Sequence, residues 1–327
     1  MNPPHARFDF APVAVAFACF TALAACIATL SACSRAPAPT GVLVYSDAAG
    51  RVVAWDFDTK RSRTLVSGGA EGDLAVDRSG RSVVYAATGP EGVRALLSRN
   101  LVTGTVEALC QAGYPDVPTY WRGPAFSASG EEVVFTTRDA TGDRAAHLAK
   151  GSRHCARVAD GITSTEFGPG VDRVLLADER AFAAYAVTDP LVPAVPPGVS
   201  LPPVWRSDEA IVDLAVDRLY ERFAVLTPSR FLARGFSGGT TESAFEFAKS
   251  NEGDAGRDPV SLSFSPDGGF IAVVFGPRDG AHIRIYEIPR PGATFVDRGE
   301  VPLDPAPIPA QFAWVPRLLG TGEPAAP

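Results

Sequence analysis

The chain has 327 residues, 46% of them apolar, so it can bury a large core and does not have the composition of a disordered polymer. Its formal net charge is −7, and no block of lysine and arginine interrupts the sequence. A nucleic-acid-binding protein, which needs a concentrated basic surface, is therefore not predicted.

The first forty residues have the pattern of a secretion signal. Arg7 precedes an uncharged apolar run from Phe10 to Leu30, and small residues follow before Cys33. The Leu-Ser-Ala-Cys sequence that ends at Cys33 resembles the bacterial lipobox, whose cysteine is acylated. We predict a lipoprotein signal peptide over 1–32 and a flexible Pro/Ala linker over 33–40 after a lipidated Cys33. The alternative is an uncleaved membrane anchor, since this apolar run could span a bilayer.

Both alternatives place the folded domain outside the cytoplasm. The serine after Cys33 resembles the outer-membrane sorting signal of proteobacterial lipoproteins, which implies an outer-membrane protein facing the periplasm rather than one on the cell surface or the inner membrane. In that oxidising compartment we predict a disulfide between Cys110 and Cys155, with two free or buried thiols as the alternative.

A turn-and-strand unit recurs five times along the chain. Each copy has a large apolar residue, a short polar turn and then three consecutive apolar residues. The copies begin at Val76, Phe126, Phe167, Val216 and Phe264. Strands without helical periodicity at this spacing are typical of a β-propeller. Further strands are predicted at 42–45, 51–57, 61–66, 95–98, 105–109, 145–149, 181–187, 243–247 and 283–288, and mobile loops at 193–203 and 251–259.

The two ends of the repeat region complement each other. The strand at 42–45 has no turn before it, and the strand at 311–315 has no strand after it. We predict that the C-terminal strand is the inner strand of the first blade, so that the ring closes non-covalently without an exposed edge. The predicted fold is an all-β, six-bladed β-propeller over 41–319, followed by a disordered tail over 320–327.

Three features carry a family resemblance. They are the Ser-Pro-Asp-Gly turn at 265–268 before an apolar strand, six units of about forty to fifty residues, and the predicted secretion signal. Together they resemble the TolB-like six-bladed propeller superfamily over 41–319, and the resemblance implies that fold. A WD40 propeller is not supported, because Trp55-Asp56 is the one Trp-Asp pair in the sequence.

The sequence contains partial matches to catalytic and metal-binding motifs, but each lacks the neighbouring elements or the spacing that its chemistry requires. Gly235 to Gly239 matches G-x-S-x-G, but no helix follows and His282 is the one histidine downstream, so a serine hydrolase is not predicted. The acidic run at 251–258 departs from calcium-loop spacing. Cysteines and histidines are too few and too scattered for zinc. We predict no catalytic residue, no metal and no cofactor.

The hexapeptide Asp-Leu-Ala-Val-Asp-Arg occurs twice, beginning at Asp73 and at Asp213. In a six-bladed ring these copies belong to the second and fifth blades, which face each other across the axis. The two carboxylates could then line one mouth of the channel and bind a cation or a basic segment. The favoured alternative is that each aspartate caps a local turn.

Trp-Arg dipeptides precede two inner strands, as Trp121-Arg122 and Trp205-Arg206. Such connections share one face of a propeller, and tryptophan and arginine are enriched at binding hot spots. We predict that these residues belong to a binding face. The alternative is that the aromatic rings fill gaps between blades.

Together these features predict a non-catalytic, lipid-anchored binding or scaffold propeller of the cell envelope, which holds a protein or peptide partner with its face loops. One alternative is a propeller enzyme of the lactonase or lyase type, with several carboxylates and amides converging on the channel. Another is a carbohydrate or small-ligand sensor with an aromatic-lined pocket.

Overall fold

The computed structural model describes residues 38–88, 94–111, 120–138, 144–150, 154–168, 173–186, 203–217, 219, 221–236, 243–247, 258–276, 281–288, 294–308 and 310–319. The chain divides into two units, Met1–Ala38 and Pro39–Pro327, and every strand belongs to the second. The predicted signal peptide, Cys33 and the tail over 320–327 lie outside the described residues.

In the described residues, twenty-four β-strands form six four-stranded antiparallel sheets, and no helix there could cross a membrane. The first two blades consist of β1 Val42–Ser46, β2 Val52–Asp56, β3 Arg61–Val66, β4 Ala70–Val76, β5 Ser82–Thr88, β6 Arg94–Asn100, β7 Val106–Gln111 and the C-terminal β24 Ala313–Val315. The third and fourth consist of β8 Tyr120–Phe126, β9 Glu132–Arg138, β10 Arg144–Lys150, β11 His154–Asp160, β12 Ser164–Phe167, β13 Arg173–Ala177, β14 Ala181–Ala186 and β15 Trp205–Arg206. The fifth and sixth consist of β16 Asp213–Asp217, β17 Arg222–Leu226, β18 Arg230–Gly235, β19 Ser243–Glu246, β20 Asp258–Phe264, β21 Phe270–Gly276, β22 His282–Glu287 and β23 Val296–Glu300.

The predicted closure of the ring is confirmed. The first blade has the strand order β24-β1-β2-β3, so its inner strand comes from the other end of the chain. Leu43 pairs with Trp314 and Val42 with Val315 in an antiparallel ladder. The Trp314 indole N–H also donates to the Thr40 carbonyl at 2.8 Å. The first and last strands of the propeller are therefore bonded to each other, and β1 has no unpaired edge.

The apolar triplets of the repeat are the second strands of the blades, which are buried on both faces. In β21, Phe270 and Val274 pack into a cluster shared with the first blade, while Ile271 and Val273 pack into one shared with the fifth blade. Side chains on a strand alternate between its faces, so a strand enclosed on both sides needs an unbroken apolar run. The apolar triplet therefore recurs in each copy because each second strand is packed between two neighbouring blades.

The Ser-Pro-Asp-Gly turn that begins at Ser265 is held by its own side chains. The Ser265 hydroxyl donates to the Asp267 carboxylate at 2.6 Å and accepts the Phe270 N–H at 2.8 Å. Gly268 has φ of 67°, a conformation that favours glycine. Asp267 is therefore a turn residue between an inner strand and its neighbour.

Three outer strands were not predicted from the sequence: β11, β15 and β23. None of the three has a long apolar run, and in Val296–Glu300 the half-buried and exposed positions carry Asp, Arg and Glu. An outer strand has solvent at its edge, so no apolar run marks it. The predicted mobile loops at 193–203 and 251–259 lie mostly outside the described residues, and 258–259 already belong to β20.

Cys110 and Cys155 come together on neighbouring blades. Cys110 lies in β7 and Cys155 in β11, and the structure pairs their sulfurs with the Cα atoms 6.0 Å apart. A disulfide spans this Cα separation. The bond would tie the outer strands of the second and third blades across 45 residues of chain.

Deleting 311–327 should unfold the whole ring rather than fray one end. The deletion removes β24 and the buried side chains of Phe312, Trp314 and Val315, each worth roughly 1.5–3 kcal/mol of burial. Their sum is comparable to the net stability of a domain, about 5–15 kcal/mol. Thermal unfolding followed by circular dichroism should show loss of the cooperative transition, whereas a protein lacking only 320–327 should melt like the full chain. An unchanged melting temperature after the longer deletion would show that β24 does not close the ring.

Candidate functional site

The inner strands surround a central channel, and each blade places one residue at the same register position near the top. We call the face where inner strands begin the top face and the opposite face the bottom face. The position lies three residues before the large apolar residue of each blade. In ring order its occupants are Gln311, Asp73, Gly123, Ser164, Asp213 and Ser261. We call these six residues the polar ring.

Asp73 joins the first three blades. Its Oδ1 accepts the Gln311 N–H at 2.7 Å from the first blade, and its Oδ2 accepts the Gly123 N–H at 3.1 Å from the third. The Arg122 Nε lies 3.8 Å from Oδ2. The Asp73 carboxylate thus links its own inner strand to the inner strands of both neighbouring blades.

Asp213 does the same for the last three blades. Its Oδ1 accepts the Ser164 hydroxyl at 3.2 Å from the fourth blade. Its Oδ2 accepts the Ser261 hydroxyl at 2.8 Å and the Leu262 N–H at 3.0 Å from the sixth. Within the described residues, the side-chain hydrogen bonds of Asp73 and Asp213 run to neighbouring blades, whereas the alternative that we favoured from the sequence expected caps of local turns.

The local caps come from the second aspartate of each hexapeptide. Asp77 Oδ1 accepts the N–H groups of Arg81 at 2.6 Å and Ser82 at 2.8 Å. Asp217 Oδ1 accepts the Leu219 N–H at 3.0 Å. The repeated hexapeptide therefore has two functions, with a clamp between blades at its start and a turn cap four residues later.

The two clamps differ in electrostatic environment. Burial raises the pKa of the Asp213 carboxyl to about 6, against the opposing effect of the hydrogen bonds from Leu262 and Ser261. The negative charge of Asp73, in the opposite blade, also raises it. The two carboxylates act on each other across the channel, as their positions in the second and fifth blades require.

Below the polar ring the channel widens into a cavity of about 220 Å³. Its wall comes from the residue just before the large apolar residue of each blade, which is small in five blades: Ala75, Ala125, Ala215, Ser263 and Ala313. In the fourth blade this position is Glu166, whose Oε1 accepts the Phe167 N–H at 2.8 Å. The Gln311 side chain also lines the cavity, and its buried Oε1 has no hydrogen-bond partner among the described residues.

This arrangement can accept hydrogen bonds from a small donor group, because a carboxylate and an amide oxygen line the same cavity. Within the described ranges, no three His, Cys, Asp or Glu side chains come close enough together to hold a metal ion. Sequence reasoning missed Glu166, Ser164, Ser261 and Gln311. Alignment of the blades by register is the signal that would have found them.

Of the residues predicted to form a binding face, Trp205 is packed against the core, whereas Arg122 and Arg206 are exposed. Trp205 stacks on Phe182 with ring centroids 6.3 Å apart and packs against the core between the fourth and fifth blades, as the alternative expected. Arg206 is exposed beside it, and the Arg122 side chain is 54% exposed. Both arginines lie on the top face. The side chain of Trp121 lies outside the described residues.

Replacing Asp213 should change how stability depends on pH. The folded pKa of about 6 exceeds the unfolded value of about 3.9, so the native state holds a proton that the unfolded state releases between these values. The contribution of Asp213 to the free energy of unfolding is therefore greatest below about pH 4. It falls by about 3 kcal/mol as the pH rises to about 6.

The Asp213→Asn variant should lack this loss while keeping an acceptor for Ser261 and Leu262. Asp213→Ala also lacks the titration but leaves donors unpaired, so it should be less stable than Asp213→Asn at every pH. Urea unfolding at pH 4.5 and pH 8 measures both effects. An Asp213→Asn protein with the same loss as wild type would show that another group is responsible.

No protein-family model matches the sequence, and no curated protein matches it either. Solved structures do match. A chain of a nidogen–laminin complex superposes with a TM-score of 0.60 at 9% identity, covering 84% of this chain and 97% of that one. TolB from Acinetobacter baumannii has a TM-score of 0.57 at 15% identity, covering 88% of this chain and 70% of that one.

A gluconolactonase from Xanthomonas campestris is similar as well. Its TM-score is 0.54 at 15% identity, covering 76% of this chain and 82% of that one. At such identities the similarity concerns the fold alone, and that fold hosts both enzymes and non-enzymes. This chain is a six-bladed β-propeller with TolB among its structural neighbours.

Proposed function

We propose that this protein is a lipid-anchored binding or scaffold propeller of the bacterial cell envelope, which holds a protein or peptide partner on its top face. The observation that carries the proposal is the pair of exposed arginines, Arg122 and Arg206, each beside an anchored residue. Arg122 extends from the strand that Asp73 clamps, and Arg206 follows Trp205, which is fixed on Phe182.

A rigid base makes exposed arginines effective recognition groups. Holding a side chain in place before binding lowers the entropy lost on association. A guanidinium offers several N–H donors that fit a carboxylate in two parallel hydrogen bonds. We therefore expect a partner segment that presents acidic groups to Arg122 and Arg206.

The lactonase alternative draws on the fold that this chain shares with the X. campestris gluconolactonase. The channel favours the binding proposal for a specific reason. Each clamp carboxylate, Asp73 and Asp213, already accepts hydrogen bonds from two neighbouring blades. Moving either one onto a metal or a substrate would break contacts between blades. The nidogen–laminin neighbour comes from a complex of two proteins.

The double variant Arg122→Ala/Arg206→Ala should lose its partner while keeping its fold. Photocrosslinking in the native envelope, from a probe placed on the top face, should yield a crosslinked species that the double variant reduces at least tenfold, the loss expected for one hot spot of about 2 kcal/mol. Arg173→Ala is the matched control, because Arg173 is also exposed but begins β13 on the bottom face. Equal crosslinking in the double variant and the control would contradict the proposal.

The anchor is tested separately with Cys33→Ala. Without the thiol no acyl chain can be attached, so the precursor should accumulate unprocessed and no lipidated product should appear. Mass spectrometry of the membrane fraction distinguishes the two forms. A normally matured, lipid-free product would contradict the lipobox.

A further inference from the structure

Both ends of the propeller chain leave from the bottom face. The second strand of the first blade, β1, runs from bottom to top, so Gly41 joins the preceding chain at the bottom. The inner strand β24 runs the other way and ends at the bottom. After it, residues 316–319 cross to the second blade, where the Leu319 N–H donates to the Gly80 carbonyl at 2.7 Å.

Four exposed cations cluster where the two ends leave. We define the basic patch as Lys60, Arg78, Arg81 and Arg317. Arg78 and Arg81 flank Gly80, and a Cβ on Gly80 would lie 1.9 Å from the Arg317 carbonyl oxygen, so these three arginines share one turn region. Lys60 lies on the β2–β3 turn of the adjacent first blade.

Two of the carboxylates nearby accept hydrogen bonds from the backbone. Asp56 accepts the N–H groups of Asp58 and Thr59, and Asp77 accepts those of Arg81 and Ser82. Asp58 is exposed. Among the described residues, no member of the basic patch forms an ion pair.

The top face carries several arginines that pair with carboxylates, as in Arg51–Asp47, Arg94–Glu71, Arg122–Asp73 and Arg230–Asp208, beside other exposed arginines such as Arg144 and Arg180. The basic patch is therefore a local cluster of cations on the face from which both ends of the propeller leave, and ion pairs such as Arg222–Asp217 and Lys150–Glu132 lie elsewhere on that face.

An apolar side chain lies beside the basic patch. Val102 is 57% exposed on the β6–β7 turn. The neighbouring Leu101 N–H donates to the Arg81 carbonyl at 2.7 Å, which places Val102 next to the arginines. Cations around an exposed apolar group suit the interface of a bilayer, where headgroups are anionic and the layer beneath is apolar.

We propose that the bottom face docks on an anionic phospholipid bilayer through the basic patch and Val102. The proposal deepens the proposed function, and it rests on the proposed lipid anchor for the orientation of the bottom face toward the membrane. The seven residues 34–40 reach at most about 24 Å from an acylated Cys33, so the anchor would hold the bottom face near the membrane. The top face then points away from the bilayer, toward a partner.

The test uses the unit Pro39–Pro327, which contains all six sheets and closes its own ring. It carries no Cys33, so its result does not depend on lipidation, and a failed anchor leaves it unchanged. Sedimentation is measured with vesicles of phosphatidylglycerol and phosphatidylethanolamine, and with vesicles of phosphatidylcholine. We expect binding to the anionic vesicles alone, and its loss when the ionic strength is raised to about 0.5 M.

The decisive variant is Arg78→Ser/Arg81→Ser/Arg317→Ser. Each basic side chain near an anionic surface contributes roughly a fivefold gain in binding, so the triple variant should bind about a hundredfold more weakly. The matched control is Arg138→Ser/Arg144→Ser/Arg180→Ser, which removes the same charge from exposed top-face positions and should bind like the unaltered unit. If the triple variant does not fold, Arg78→Glu alone should still weaken binding at least fivefold.

Three results would overturn the proposal. The first is equal binding to anionic and phosphatidylcholine vesicles. The second is equal weakening by the bottom-face and top-face triple variants, which would mean that net charge alone is responsible. The third is a unit that ignores vesicles but binds an acidic protein through Arg78 and Arg81, which would make the patch a protein-docking surface.

Discussion

The structure depends on burial between blades, because no blade of this propeller can cover both of its faces by itself. In β21, alternate side chains enter two different clusters, one with the first blade and one with the fifth. Removing any neighbour would expose half of a fully apolar strand to water. The ring must therefore close, and in this chain the strand at one end completes the sheet begun at the other. The pairing of β24 with β1 meets that requirement.

Apolar stacking alone does not fix the angle at which inner strands meet around the channel. The two aspartate clamps supply that geometry, since hydrogen bonds are directional and burial is not. Asp73 fixes the first three blades to one another and Asp213 fixes the last three. Between these halves, the Thr165 hydroxyl donates to the Gly123 carbonyl at 3.3 Å, a contact from the fourth blade to the third. Buried carboxylates are costly, and the raised pKa of Asp213 is a measure of that cost.

These roles explain which parts of the molecule could be predicted from the sequence. The blades were predictable because the second strands are apolar without interruption, and that pattern is local in the chain. The clamps were not, because the partners of Asp73 lie 50 and 238 residues away and those of Asp213 lie 48 and 49 residues away. From the local sequence, Asp73 and Asp213 were interpreted as turn caps. In the structure, the turn caps are Asp77 and Asp217. The Trp-Arg dipeptides were ambiguous for a related reason, since the neighbour that fixes Trp205 is Phe182, on the other side of a long connection.

The clamps also separate the two faces of the ring. Because the polar ring holds the inner strands where they begin, the top face keeps its arginines over a fixed base, and Arg122 lies directly beside a clamp. At the bottom the inner strands end in turns that are capped one by one, as at Asp77, and in the described turns no carboxylate accepts hydrogen bonds from two neighbouring blades. Arg78 and Arg81 at the bottom form no ion pair within the described residues, whereas Arg122 at the top lies beside the Asp73 clamp. If the bottom face docks on a membrane as proposed, the top face remains available for the proposed partner, over inner strands that the aspartate clamps hold together.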